Sequence, residues 1–276
     1  VSLKIGGCTY PWLWKSPLKE ALEHLKRLQL KHIELMLMPP HIPDEWMWKK
    51  DRTELQELKS YLQQNDLHVV AVNPMFFGIN LSSFNPRYRA ESLRYFQAAI
   101  EIAGLLEAPY LTIGLGFRHA LAPEPIGNVW ERAKKAVLES LELCEKYNVT
   151  LGIENLVGNF MNNSDACLQM INEIGSDYAK ITYDPANSIM AGEDLKEGIE
   201  KVKDHLVNFH VSDSKPTQWR HAPVGEGVID FGKVAQTLQE IDYQGVTILE
   251  IADCNDPFVD YGQSVEKLES LGWSRN

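Results

Sequence analysis

Apolar residues are distributed along the chain in two alternating kinds of run. Short β-branched and aliphatic runs at 3–8, 32–36, 67–72, 110–115, 149–153, 180–183, 206–209 and 246–249 predict strands. Longer stretches at 17–30, 53–64, 88–106, 129–147, 164–174, 195–203, 231–241 and 259–271 carry apolar residues three and four apart and predict helices. Leu18, Ala21, Leu22, Leu25 and Leu28 share one face of the first, and Leu55, Leu58 and Leu62 one face of the second. Ser16-Pro17 provides the cap and first-turn residue of the first helix, and Ser164 the cap of the 164–174 helix. The strands are apolar on both faces, as in a parallel sheet covered by helices. Strand-then-helix units starting about 35 residues apart match the ~30 of a βαβ repeat. No Pro/Gly/Ser linker interrupts them, so the expected architecture is a single (β/α)8 TIM barrel domain over residues 1–276, with an open doubly wound sheet as the second choice. In both, a site forms beyond the carboxyl ends of the strands.

Four successive runs in the second half stop on an ionisable residue: Glu154, Asp184, His210 and Glu250. In a barrel these positions circle one rim. Taken singly, such an Asp or Glu caps a helix or pairs with a cation, and such a His is a structural group. Together, three carboxylates and an imidazole converging there would be unfavourable, chiefly through carboxylate repulsion, unless a cation neutralised them. The oxygen-rich set with one nitrogen suits one divalent ion, Mn²⁺ first, with Mg²⁺, Co²⁺ or Zn²⁺ as alternatives.

The loops offer substrate contacts. Arg220 follows the seventh run and can hold a hydroxyl, carboxylate or phosphate oxygen through forked hydrogen bonds. Asn187 lies three residues after Asp184, where it either orients a ligand or closes an Asx-turn after Pro185. Lys215 and His221 are weighed as site contacts against a solvated loop. Trp12, Trp14, Phe76, Phe77 and Trp219 lie on loops where aromatic faces pack either on a small substrate or into the core. Arg118 and His119 belong to the same rim.

Charge narrows the partners. A net charge of −11 disfavours general binding to nucleic acid or anionic membranes, which needs clustered Lys and Arg. Cys8, Cys144, Cys167 and Cys254 form no C-x-x-C pair, as suits a reducing compartment. The sequence opens with no charged-then-apolar leader and contains no apolar run approaching the ~18 residues that span a bilayer. A cytoplasmic location is therefore expected. Trp46-Met47-Trp48 is read either as a homo-oligomer surface or as an apolar lid edge.

The strand-end motifs resemble a family. Gly152-Ile153-Glu154-Asn155, Thr182-Tyr183-Asp184-Pro185-Ala186-Asn187, Asn208-Phe209-His210-Val211-Ser212-Asp213, Pro223-Val224-Gly225-Glu226-Gly227 and Leu249-Glu250-Ile251 are similar to those of the xylose-isomerase-like barrel superfamily. That superfamily includes ketose 3-epimerases, sugar isomerases, dehydratases and the endonuclease IV group. The resemblance implies that Glu154, Asp184, His210 and Glu250 bind one metal, usually manganese in the epimerase branch. It also implies that Glu154 and Glu250 are the acid and base, and that Arg220 contacts substrate. The expected activity is isomerisation or epimerisation of a small, unphosphorylated ketose or keto-polyol through a metal-stabilised enediolate. The alternatives are a metal-dependent dehydratase or decarboxylase of a keto acid, and a non-catalytic metal- or sugar-binding barrel. Ketose 3-epimerases commonly carry a histidine where this chain has Asn187, which separates it from their substrate contacts. The endonuclease branch needs a larger ligand set and a basic surface.

Overall fold

The computed structural model describes residues 2–74 and 78–275. Phe76 and Phe77 therefore lie outside the described residues. Eight parallel strands form a closed ring: β1 Leu3–Cys8, β2 His32–Met36, β3 His68–Asn73, β4 Tyr110–Ile113, β5 Thr150–Glu154, β6 Ala179–Tyr183, β7 Leu206–Val211 and, after a two-stranded hairpin β8 Asp213–Lys215 and β9 Gln218–Ala222, strand β10 Val246–Leu249. Closure comes from parallel pairing of β10 with β1, with Gly6 opposite Ile248 and Gly7 opposite Leu249. The chain is thus a (β/α)8 TIM barrel, not an open sheet.

Helices α1 Leu18–Arg27, α2 Thr53–Gln64, α3 Pro86–Leu105, α4 Ile126–Leu138, α5 Leu141–Tyr147, α6 Ser164–Ile174, α7 Pro185–Met190, α8 Leu195–Val202, α9 Phe231–Glu240 and α10 Pro257–Glu269 connect the strands. A last short strand, β11 Trp273–Ser274, pairs with the start of β1. Some local details differ from the sequence reading. The 129–147 stretch is two helices, divided at Glu139-Ser140. The α6 cap is Asn163, whose side chain accepts from the Ala166 N–H, and Ser164 is the first helical residue. At α1, Pro17 occupies the cap position and no side chain caps the helix.

Side-chain alternation separates two environments. Ile153, Ile181, Tyr183, Phe209, Val211 and Leu249 are buried members of the main apolar core. Among them Tyr183 stacks on Phe209 at 5.8 Å. The intervening residues of the same strands include Glu154, Thr182, Asn208 and His210. Here side chains from strands that are not neighbours meet, as Glu34 of β2 meets Thr112 of β4 and Asn208 of β7, so these contacts cross the barrel interior. A small apolar cluster of Cys8, Leu13, Met36 and Ile248 is separate from the main core.

Candidate metal centre and active site

Glu154 closes β5, Asp184 follows β6, His210 lies in β7 and Glu250 follows β10. The two-residue alternation of each strand turns these four side chains to the inside of the mouth. One ligand atom from each lies within 4.8 Å of all the others, and all four residues are buried. The local sequence fixes several of them. Asp184 caps α7, its Oδ1 accepting from Ala186 N–H at 2.7 Å and Asn187 N–H at 3.4 Å. Capping therefore uses one oxygen and leaves Oδ2 for the site. Asn155 ties β5 to β6 by accepting from Asp184 N–H at 2.8 Å and donating to Asp184 O at 2.9 Å.

His210 Nδ1 is 3.3 Å from Glu154 Oε1 and 3.2 Å from Glu250 Oε2. It is buried and makes no hydrogen bond. A ring nitrogen and two carboxylate oxygens converging at these distances, with Asp184 beside them, suit a divalent cation in both charge and donor type. The residues therefore fit a metal site. Burial in this acidic cluster also shifts the protonation of its members. Burial raises Glu154 to about 7, with Glu250 and Asp184 adding to the rise and His210 opposing it. Burial likewise raises Asp184. At Glu250 burial is outweighed by His210 and His221, which hold the carboxyl below the usual range. At His221 burial is outweighed by Asp184 and Glu250, which bring the imidazole up to about 9.

The mouth opens into a cavity of about 390 Å³ lined by Glu154 and Glu250 together with Tyr10, Trp219, Arg220 and His221, a volume suited to a small molecule. Three of these come from β9. His221 Nδ1 lies 3.4 Å from Glu250 Oε2 and 3.5 Å from Asp184 Oδ2, and is hydrogen-bonded to Ser212 Oγ at 3.0 Å. Arg220 lines the cavity with its guanidinium already paired to Asp253, and with Glu226 at 3.5 Å. Gly227 lets the returning chain pass close to this hairpin: a Cβ there would lie 2.1 Å from Asp213 Oδ1 and 2.2 Å from Ser214 O.

Other candidates lie elsewhere. Asn187 is fully buried behind the carboxylates, outside the cavity lining; it donates to Asp184 Oδ2 at 2.9 Å and Glu154 Oε1 at 3.4 Å and accepts from Trp219 Nε1 at 3.0 Å. Trp12 is 2% exposed and packs on Tyr261 at 4.9 Å, so its loop position serves the core and not a substrate. Trp14 is 76% exposed and does not line the cavity. Lys215 is exposed at the end of β8, also away from the lining. Arg118 donates to Glu124 O, and His119 lines a second, separate cavity. Met47 is buried and Trp46 packs against the core, which leaves only Trp48 of that segment exposed.

The sequence reading missed Glu34. This carboxylate is fully buried in β2 and lies 3.1 Å from His210 Nε2. Its signal was a lone carboxylate among the apolar residues Ile33, Leu35 and Met36 of one strand, which must find partners when both faces are covered.

Together the ring and its lip define a (β/α)8 barrel with a buried carboxylate–imidazole centre at the carboxyl ends of its strands. The chain belongs to the xylose isomerase-like TIM barrel family, whose profile matches residues 22–271. It is 25% identical over 251 residues to an uncharacterized protein of Methanocaldococcus jannaschii, covering 91% of this chain and 89% of that protein. It is 26% identical over 171 residues to the L-ribulose-5-phosphate 3-epimerase UlaE of Escherichia coli O157:H7, covering 62% of this chain and 60% of the epimerase. Another M. jannaschii relative, also uncharacterized, is matched over 66% of its length. Among solved structures, a D-tagatose 3-epimerase-like protein superposes with a TM-score of 0.85 at 21% identity, over 98% of this chain and 97% of that one. An L-ribulose 3-epimerase superposes with a TM-score of 0.80 at 19% identity, over 98% and 95%. These two likenesses establish a shared fold. No helix among the described residues is long and apolar enough to cross a membrane.

Proposed function

We propose that this protein is a divalent-metal-dependent isomerase or epimerase of a small ketose or keto-polyol, with Glu154 and Glu250 as its two acid/base groups. The observation that carries this reading is that both carboxylates flank His210 Nδ1 and both also line the cavity. Each would thus stand beside both the metal and a substrate held in the cavity. Epimerase relatives support the carbohydrate assignment.

A divalent ion held by Glu154, Asp184, His210 and Glu250, with Mn²⁺ the best match to the donor set, would polarise the sugar's carbonyl and acidify the neighbouring C–H. One glutamate accepts that proton as the C–H bond breaks, and the C–H electron pair becomes the double bond of an enediolate. The other glutamate returns a proton, to the same carbon from the opposite side for epimerisation or to the adjacent carbon for isomerisation. Asn187 and Asn155 hold the cluster from behind, while Trp219, Arg220 and His221 close one side of the cavity. Arg220 is the only Lys or Arg among the described residues lining it, and Asp253 and Glu226 already engage its charge. That favours an uncharged sugar over a phosphorylated one.

The test is product analysis in heavy water over a panel of free ketoses and keto acids with Mn²⁺-loaded protein. Solvent deuterium should enter the sugar with no loss of water or CO₂, and a chelator should abolish the exchange. Release of water or CO₂ would assign the keto-acid chemistry instead, and metal binding without turnover of ketoses or keto acids would indicate a binding barrel.

A further inference from the structure

Both carboxylate oxygens of Glu34 meet polar partners in the barrel interior. Its Oε2 accepts from Asn208 Nδ2 at 2.8 Å and Thr112 Oγ at 3.1 Å, and meets His210 Nε2 at 3.1 Å. Its Oε1 accepts from Asn73 Nδ2 at 3.0 Å, and the same amide reaches Glu250 Oε1 at 3.3 Å. Cys8, Glu34 and Glu250 also lie close enough together to resemble a second ligand set. The donors already around both Glu34 oxygens argue against that use. A fully buried carboxylate is costly unless it is paired and hydrogen-bonded, and here the Asn73 and Asn208 amides and the Thr112 hydroxyl all donate to it, with Asn208 Nδ2 also 3.3 Å from His210 Nε2.

That one-sidedness has a chemical consequence. A carboxylate can only accept, so the hydrogen between it and His210 belongs to Nε2. A neutral imidazole protonated at Nε2 carries its lone pair on Nδ1, the atom that sits between Glu154 and Glu250. We propose that Glu34 is a positioning residue of the metal centre: it holds His210 in the tautomer that presents Nδ1 to a divalent ion and, through Asn73, steadies Glu250 in the same arrangement. The inference rests on the metal-centre reading above. Carboxylates placed behind ligating histidines are a general means of fixing ring orientation and ligand basicity.

Glu34→Gln preserves the shape but puts an NH₂ among groups that all donate. With folding verified by circular dichroism, calorimetric titration of the variant with Mn²⁺ should give an affinity about 10- to 100-fold weaker than that of the parent. A folded variant that binds Mn²⁺ within about twofold of the parent would overturn the proposal, given the size of such effects elsewhere. A second measurement needs no variant. In the Zn²⁺-loaded parent protein, ¹⁵N NMR of labelled histidine should show His210 with a directly bonded hydrogen on Nε2 and the metal on Nδ1; the reverse assignment would overturn the proposal even if Glu34→Gln failed to fold. A parent protein that binds neither ion would remove the metal-centre reading, and this inference with it. Metal binding unaffected by Glu34→Gln would remove the inference alone.

Discussion

The two halves of the barrel rim are built from the same strand-and-helix unit but carry different chemistry. In the second half, β5, β6, β7 and β10 bring Glu154, Asp184, His210 and Glu250 to the mouth. In the first half, Asn73 and Gly114 line the cavity, and the charge sits deeper, at Glu34, facing Thr112 and Asn208. Ionisable groups at the lip can reach a ligand, whereas one turned into the interior can act only through its neighbours. The first half thus leaves room for a substrate and braces His210 from below, while the second half supplies the groups that would react.

The largest test of that division is Glu154→Gln and Glu250→Gln. Each should lower turnover about 10²- to 10⁴-fold, the usual contribution of a positioned acid or base. Steady-state assays on the metal-loaded protein measure this, and parental turnover in either variant would break the two-carboxylate scheme. A contrast within the first half comes next. Trp12→Ala should destabilise the fold by about 3–5 kcal/mol in denaturant melts, as for other buried large-to-small changes, because Trp12 packs on Tyr261 and His24. Trp14→Ala, at a solvent-exposed position, should stay within about 0.5 kcal/mol. Equal losses would mean that the loop after β1 is packed differently. An effect smaller than those at Glu154, Glu250 and Trp12 is expected at Asn187, whose loss in Asn187→Ala removes a donor to Asp184 Oδ2 and Glu154 Oε1. Mn²⁺ affinity should fall about tenfold, at the lower end of outer-shell effects, as read by calorimetric titration. An unchanged affinity there would confine the bracing role to the first half.

Much of this was legible in the chain because strands have a fixed period and a parallel barrel gathers their ends at one rim. The eight alternating units led directly to the (β/α)8 fold, and residues at four strand ends marked the cluster. Less legible were the features that depend on contacts between distant strands. Glu34 lies within His32–Met36 and has no local motif, since its partners come from β3, β4 and β7. Asn187 suits either a ligand contact or an Asx-turn in sequence, and the short helix that follows Asp184 turns it inward. The β8–β9 hairpin shows no strand pattern in sequence because its strands are short and polar, with Pro216-Thr217 between them. Trp12 and Trp14 have the same character in sequence, and only the packing of α1 and α10 around the first of them separates buried from exposed.

The pairing that closes the ring also determines where the two ends of the described chain emerge. Leu3 lies opposite Trp273 in neighbouring parallel strands, at the start of β1 and therefore on the floor of the barrel, opposite the mouth. Any chain joined on before Leu3 or after Trp273 therefore meets the barrel at its floor, on the side opposite the residues that line the cavity.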